Sequence, residues 1–181
     1  MIESFARWAQ PVLDLPIVRR TRRNHGLEHA TIHLLSGRIN DLKMAGRSDS
    51  GGFVLIGAAP TEMIESAVRD ALRRMRNGEH HLAVHPNCGT NLVTTGFLTT
   101  TAAMIGFTGS TRRGTWERLP MVTMLVMFTI LFSQPLGLSL QRHLTTDGDP
   151  ADLEIVNITR REMPGVSGGT VIVHRVNTRS S

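Results

Sequence analysis

Two long segments without a charged residue constrain this chain more than any other feature of its sequence. Residues 92–111 and residues 119–141 contain no Asp, Glu, Lys or Arg. A helix of about 20 residues crosses the hydrocarbon layer of a bilayer, so each segment is long enough to span it. We therefore predict a two-helix transmembrane hairpin over residues 92–141. The alternative is a buried helical hairpin in a soluble core, although core helices seldom run so far without a charge.

The loop predicted between the two spans is short and basic. It contains three arginines and Trp116, and Trp is enriched at the headgroup level of membranes. Three arginines also precede the first span and three follow the second, so the positive-inside rule does not choose an orientation. The nine are Arg73, Arg74, Arg76, Arg112, Arg113, Arg118, Arg142, Arg160 and Arg161. The N-terminus has no signal-peptide pattern, and we expect a multi-pass protein of the inner (cytoplasmic) membrane with both termini in the cytoplasm.

Composition restricts the partners and the compartment. Lys and Arg exceed Asp and Glu by 20 to 15, a balance that suits acidic lipid headgroups or nucleic acid. Tyr is absent and aromatic residues make up 4% of the chain, so stacking surfaces for bases are lacking and no nucleic acid is expected. The expected partners are the lipid bilayer and other membrane-protein subunits. Cys88 is the single cysteine, which excludes an intramolecular disulfide and fits a reducing compartment.

Outside the uncharged segments, the pattern predicts a small α+β domain into which the transmembrane helical hairpin is inserted. A helix ends at Gly37, a β-hairpin surrounds the turn-rich GRSDSGG, and a second helix with apolar residues at helical spacing follows Pro60. A short strand is predicted from His81 to His85, broken by Pro86. Two β-rich runs around PGVSGG predict a second β-hairpin, which can pair with the earlier sheet.

These elements divide the chain into four regions. Residues 1–18 are interpreted as an interfacial anchor, and residues 19–91 as a soluble α+β domain with the candidate site. Residues 92–141 form the transmembrane hairpin, and residues 142–181 form a C-terminal β-hairpin that completes the soluble domain. The basic RRTRR, residues 19–23, suits acidic headgroups beside Trp8. A solvated helix start explains it equally well.

The pentapeptide HGLEH, residues 25–29, is the first candidate for chemistry. His25 and His29 are four residues apart, so on a helix both imidazoles project from one face and can bind one ion. Glu28 completes the H-x-x-E-H spacing of the inverted zinc-peptidase motif, in which two histidines bind zinc and the glutamate activates water. Histidines on helices more often pack or face solvent, so the motif needs support from elsewhere. His33 extends the same stripe and is interpreted as an interfacial side chain or a hydrogen-bonding neighbour of the ligands.

A second motif, HPNCGTN, residues 85–91, supplies that support. It places His85 and Cys88 directly before the first predicted span. Catalytic zinc sites typically use three protein ligands, and imidazole and thiolate are both suitable. We therefore predict zinc as the cofactor, His25, His29, His85 and Cys88 as candidate metal ligands, and Glu28 as the candidate catalytic residue. The alternative is a membrane-entry turn in which Cys88 is a small apolar residue and His85 lies at the interface.

The two motifs, in this order before transmembrane helices, resemble a bacterial membrane-protein family of unknown function. More distantly, the chain is similar to the YqhQ-like family of predicted metal-dependent membrane enzymes, which carry an HGAEH-type and an HPRCGTS-type motif. This chain has Asn87 where that family has Arg, and Asn91 where it has Ser. The resemblance implies a functional set made of His25, Glu28, His29, His85, Cys88 and Gly89.

Two hypotheses of different class fit these motifs. In the first, the chain is a membrane zinc-dependent hydrolase in which Glu28 deprotonates water at a peptide, ester or amide carbonyl. In the second, it is a non-catalytic assembly or accessory subunit, and the same residues form a structural metal site or a polar joint. His80 and His81 are interpreted as strand-edge residues, and Asp147 and Asp149 as part of a turn, because the full ligand series of a calcium loop is absent.

Overall fold

The computed structural model describes residues 2–164 and 169–180, apart from the side chains of Arg112 and Arg113. The chain divides into two compact units. One comprises the chain up to His85 together with the chain from Arg142 onward, and the other comprises Pro86–Gln141. The first unit therefore contains parts that are far apart in the sequence.

Helices α1, Ile2–Leu13, and α2, Pro16–Ser36, open the first unit. Proline is favoured at the first helical position, where its missing N–H costs no hydrogen bond. α2 ends where predicted, since the N–H of Gly37 bonds to the carbonyl of His33 and the N–H of Arg38 bonds to that of Leu35. Its buried apolar residues include Leu27 and Leu35 and pack in the core.

A four-stranded antiparallel sheet covers this core. Its strands are β1, Ala45–Asp49; β2, Gly52–Ile56; β3, Glu154–Pro164; and β4, Thr170–Arg179. Their order in the sheet is β1-β2-β4-β3. The register pairs Leu55 of β2 with His174 of β4 and Arg160 of β3 with the same histidine. The predicted β-hairpins are present, and the late strands extend the early sheet.

The turn of the C-terminal hairpin was predicted at residues 164–169, and residues 165–168 lie outside the described part of the chain. The turn of the first hairpin is tighter than GRSDSGG suggested, because β1 includes most of that stretch. The Asp49 carboxylate accepts a 2.8 Å hydrogen bond from the N–H of Gly51, which is the local bond expected of an Asx turn.

Helix α3, Thr61–Arg76, packs a regular apolar face into the same core. Its buried residues are Ile64, Ala67, Val68, Ala71, Leu72 and Met75, which recur at the helical period. The arginines of its last turn suit the negative end of the helix dipole. This helix agrees with the sequence prediction.

The strand predicted from His81 to His85 is wrong. His80–Ala83 form a 3₁₀ helix, closed by the bond from the N–H of Leu82 to the carbonyl of Glu79. Leu82 and Ala83 are both buried in the core. Adjacent residues of a strand point to opposite faces, whereas a helical turn can bury both. Core burial of two neighbouring residues therefore favours the turn.

The second unit is a pair of helices, α4, Gly89–Phe107, and α5, Arg112–Leu140. A π-helical turn, Gln141–Thr145, follows α5 along the chain. Within the pair, the hydroxyls of Thr95 and Ser133 lie 2.8 Å apart, and a Cβ at Gly106 would lie 2.6 Å from the Val122 side chain. Small and hydroxylated residues allow such close approach of two helices.

Within the described residues, one helix is long and apolar enough to cross a membrane, namely Gly114–Thr145. The criterion is length and composition alone. α4 does not meet it, since polar threonines interrupt its apolar residues. The fold is therefore α+β with one candidate span, and the two-span hairpin stays a prediction.

Candidate metal centre

The two histidines of HGLEH lie side by side on α2. Their ring centroids are 4.3 Å apart with an interplanar angle of 63°. Candidate ligand atoms of His25 and His29 lie within 4.8 Å of each other. His29 is buried and His25 is half-buried. The helix period thus brings two imidazoles to positions from which both can reach one ion.

Each ring is held by a backbone carbonyl from a distant part of the chain. His25 Nδ1 lies 2.9 Å from the carbonyl oxygen of Thr145, and His29 Nδ1 lies 2.8 Å from that of Ala83. A carbonyl only accepts hydrogen bonds, so Nδ1 carries the proton in both rings and Nε2 is the nitrogen with a lone pair. Metal-binding histidines are commonly oriented in this way.

Gly26 allows the segment after α5 to approach α2. A Cβ at this position would lie 2.2 Å from the carbonyl oxygen of Asp147. The N–H of Asp147 in turn donates a 3.0 Å hydrogen bond to the carbonyl of Arg22. The Arg22 guanidinium donates to the carbonyls of His143 and Thr146. The glycine of HGLEH is therefore part of the contact that brings the Thr145 carbonyl to His25.

Glu28 points towards strand β1. Only 4% of Glu28 is exposed, and its Oε2 accepts a 2.5 Å hydrogen bond from the Ser48 hydroxyl. A Cβ at Gly46 would lie 2.1 Å from Oε1, so a glycine on β1 makes room for the carboxyl group. Burial raises the pKa of Glu28, while the Ser48 hydrogen bond and the electrostatic interaction with nearby His25 oppose that rise. A carboxyl group whose pKa is raised in this way is a stronger base than an exposed one, which suits proton transfer.

His85 lies near the same pair. Its ring centroid is 6.0 Å from that of His29. Burial lowers the pKa of His85, and the neighbouring His29 and His33 lower it further. The neutral imidazole is the form that binds metals, so this environment favours a ligand state. His33 itself is exposed in the last turn of α2.

Cys88 belongs to the second unit, at the N-cap of α4. Its Sγ accepts a 3.4 Å hydrogen bond from the N–H of Thr90. A helix N-terminus favours the thiolate, which is the form that binds metals. Cys88 also lines a 430 Å³ cavity of this unit, together with Asn91 and Ser133. Its assignment as a ligand stays a prediction.

Asn91, the last residue of HPNCGTN, has a structural role that the motif alone did not indicate. Its Nδ2 donates a 2.7 Å hydrogen bond to the carbonyl of Pro86, and its Oδ1 accepts a 2.9 Å bond from the Gln141 amide. Both Asn91 and Gln141 are buried. The asparagine therefore ties the turn to the far end of α5 within the second unit.

The remaining polar candidates line a separate 320 Å³ pocket of the first unit. His80, His81, Asp147 and Asp149 contribute to it. Asp147 accepts a bond from the N–H of Asp149, which accepts one from the N–H of Ala151. These two carboxylates thus form consecutive turns, as predicted. Sequence analysis did not identify Ser48 or the carbonyls of Ala83 and Thr145 as neighbours of the candidate site. A backbone carbonyl occurs at every residue, so the sequence has no signal for its role.

Comparison with known proteins identifies a family without a known role. The model for a domain of unknown function, DUF6391, matches residues 20–158. An uncharacterised protein from Picosynechococcus sp. is 37% identical to this chain over 87 residues, covering 43% of this chain and 42% of that protein. The chain therefore matches less than half the length of that curated relative. No solved structure matches.

Proposed function

This chain belongs to the DUF6391 family, and we propose that it is a membrane-associated, zinc-dependent enzyme of the hydrolase type. The observation that carries the proposal is the pair His25 and His29 with both Nδ1 atoms held by backbone carbonyls. Such a pair is pre-oriented for a metal, because the ring positions and tautomers are fixed before an ion binds. Nitrogen donors of this kind suit zinc.

His85 or Cys88 supplies the third ligand in this proposal. His85 is close to His29 and tends to be neutral. Cys88 follows His85 by three residues, and three residues of extended chain reach at most about 11 Å. Both donors are compatible with a catalytic zinc site, which keeps one position open for the substrate or water.

Glu28 is the proposed general base. A zinc ion at this site would supply a Lewis acid that activates water and polarises a carbonyl. Glu28 is adjacent to His29 in the sequence, and its buried carboxyl has a raised pKa, which suits it to accept the proton of water and pass it to a leaving group. Ser48 would hold the carboxyl in place through its hydrogen bond to Oε2. The proposed substrates carry a peptide, ester or amide carbonyl.

A second candidate function is favoured by that same Ser48 bond. A carboxyl group that is buried against β1 and bonded to a hydroxyl can serve structure alone. The protein would then be a non-catalytic assembly or accessory subunit with a structural metal or polar site. Four protein ligands, His85 and Cys88 both included, would mark this case.

The membrane part of the proposal rests on α5. In the most apolar part of the helix Gly114–Thr145, only 17% of the residues are buried, whereas the core helix of a soluble protein is mostly buried. Its exposed residues include Met124, Phe128, Leu131 and Phe132. We propose that α5 crosses the inner membrane, that α4 enters with it, and that both termini are cytoplasmic.

Elemental analysis tests the metal site. Protein purified in detergent, without chelators or a His-tag, should carry about one zinc per chain, and His25→Ala and His29→Ala should lose it. His33→Ala is the matched control, because His33 is exposed on the same helix and its loss should leave the zinc content unchanged. A wild-type protein without stoichiometric metal would refute the site.

Glu28→Gln separates the two functions. The amide can still accept the Ser48 hydrogen bond, so the variant should fold and retain zinc, yet it cannot act as a base. The enzyme proposal expects loss of the cellular phenotype conferred by the wild-type gene. A fully functional Glu28→Gln variant would leave only the structural role.

A further inference from the structure

Helix α1 has a wide apolar face of which only one edge is packed. Successive residues of a helix are rotated by 100°, so Phe5, Trp8 and Val12 project from the same side of α1. Ala6 and Leu13 lie next to them and widen this apolar face. Ala6 and Leu13 are each 8% exposed, whereas Phe5 is 53%, Trp8 78% and Val12 57% exposed. The polar residues Glu3, Arg7 and Gln10 occupy the opposite side. More than half of the apolar face therefore has no cover within the described part of the protein.

The exposed apolar strip extends beyond α1. Leu15 and Ile17 are 52% and 71% exposed at the start of α2. The rings of Phe5 and Trp8 lie 5.7 Å apart between centroids and form one aromatic surface. Exposed apolar side chains grouped in this way mark an interaction surface.

The position of α1 along the fold indicates which partner covers the strip. The Glu3 carboxylate lies 3.8 Å from Nε2 of His143. His143 lies in the turn Gln141–Thr145, at the end of the helix that is long and apolar enough to span a membrane. If that helix crosses a bilayer, His143 lies near the level at which the chain leaves it, and so does the Glu3 carboxylate in the first turn of α1.

We propose that α1 lies in the plane of a lipid bilayer surface, with Phe5, Trp8 and Val12 in the boundary between headgroups and acyl chains. An amphipathic helix with aromatic residues on its apolar face is typical of that environment. The four arginines that follow at the start of α2 supply positive charge for acidic headgroups. Arg22 and Arg23 also bond within the fold, so part of their charge is already engaged there. The proposal depends on the membrane location of α5 and is independent of the metal site.

Tryptophan fluorescence of the full chain in vesicles tests the proposal. The chain has two tryptophans and no tyrosine, so Trp116→Phe leaves Trp8 as the reporter. In vesicles of phosphatidylcholine and phosphatidylglycerol, we expect blue-shifted emission. We also expect a larger loss of emission from lipids with a quencher near the headgroup than from lipids with one at the end of the acyl chain. Loss of emission to acrylamide without loss to either lipid quencher would refute the proposal.

A matched reporter on the other face completes the design. In the Trp8→Phe, Trp116→Phe background, Arg7→Trp places the only tryptophan among the polar residues of α1. We expect this reporter to be quenched by acrylamide and weakly by lipid quenchers. Equal lipid quenching at positions 7 and 8 would overturn the proposed orientation. Blue-shifted Trp8 emission without lipid quenching would show that a protein contact covers the apolar strip, and it would refute the proposed position of α1 in the bilayer surface. Circular dichroism confirms that each variant is folded.

Discussion

Gly26, inside the HGLEH motif, tests whether close backbone packing at α2 matters for stability. Alanine in a helix is usually more stable than glycine by about 1 kcal/mol. Here the added Cβ would lie 2.2 Å from the backbone oxygen of Asp147. We therefore expect Gly26→Ala to lower the free energy of unfolding by about 1–3 kcal/mol, the usual range for overpacking.

Gly37, which caps the C-terminus of the same helix, provides the control. A Cβ there would be 3.6 Å from its nearest neighbour, the carbonyl oxygen of Leu34, which is an ordinary contact. Gly37→Ala should change stability by less than about 0.5 kcal/mol. Denaturant unfolding in detergent measures both variants. Equal effects of the two substitutions would show that the approach of Asp147 to α2 is not what requires a glycine.

His174 should make the stability of the first unit depend on pH. It is fully buried on β4, with Nε2 3.1 Å from the Thr61 hydroxyl. Burial lowers the pKa of His174, and Arg160 on the neighbouring strand lowers it further. The unfolded imidazole takes up a proton near pH 6.5 and the folded one resists it. The unfolded state therefore binds more protons below about pH 6.5, and stability falls as the pH falls through that window.

His174→Gln should remove this dependence, because the amide can keep a hydrogen bond to Thr61 but does not titrate. The other histidines are common to both proteins, so the difference in slope isolates His174. The difference between the two slopes of stability against pH should be less than about 1.4 kcal/mol per pH unit, which is the limit for the binding of one proton. Unfolding curves of both proteins between pH 5 and 8 measure it. Identical slopes would contradict a depressed pKa at this position.

At the scale of elements, α4 and α5 should differ in their ability to enter a membrane. The middle of α4 contains five of its six threonines, Thr94, Thr95, Thr99, Thr100 and Thr101, whereas α5 is long and apolar enough to span a membrane on its own. In a glycosylation-reporter assay of insertion, we expect the α5 segment to insert alone. The α4 segment should insert well only when α5 follows, because the Thr95 and Ser133 hydroxyls can then pair.

Valine at these five central threonine positions is the control, since it raises hydropathy while keeping a β-branched side chain. The substituted α4 segment should insert without α5. Efficient insertion of wild-type α4 by itself would contradict the proposed dependence on its partner helix. Failure of α5 to insert would remove the basis for a membrane location.

The elements that could be predicted are those whose signal is local. Apolar spacing and Gly37 define α2, and Pro60 with the periodic face defines α3. The stretch His80–Ala83 was assigned the wrong structure because the fold buries Leu82 and Ala83 together. At the candidate site, the helical spacing of His25 and His29 was readable from the sequence. The carbonyls that hold their rings come from Ala83 and Thr145, and only the tertiary fold brings such distant residues to α2.

At the scale of the whole molecule, the first unit should fold without the second. Val84 and Arg142 line the same pocket, so a short flexible linker can join the chain ends left by deleting residues 86–141. We expect the resulting protein to fold in solution without detergent, because both the sheet and its core lie outside the deleted segment. Circular dichroism and a cooperative thermal transition measure this. An unfolded product would show that the helical pair supports the sheet.

The same deletion distinguishes the two candidates for the third metal ligand. It retains His25, His29 and His85 and removes Cys88. Zinc binding to the folded deletion variant would favour His85, and its loss would favour Cys88. A His85→Ala variant of the full chain provides the reciprocal measurement.

The strand order has a consequence for the time at which the protein can fold. β4 lies between β2 and β3, yet a ribosome makes α2, β1 and β2 long before it. At about 5–20 residues per second, the delay between β2 and β4 is on the order of ten seconds. During that interval β2 has an open edge, and the helical pair emerges before the sheet is complete. The helical pair is therefore complete on the ribosome while the α+β unit still lacks its last two strands.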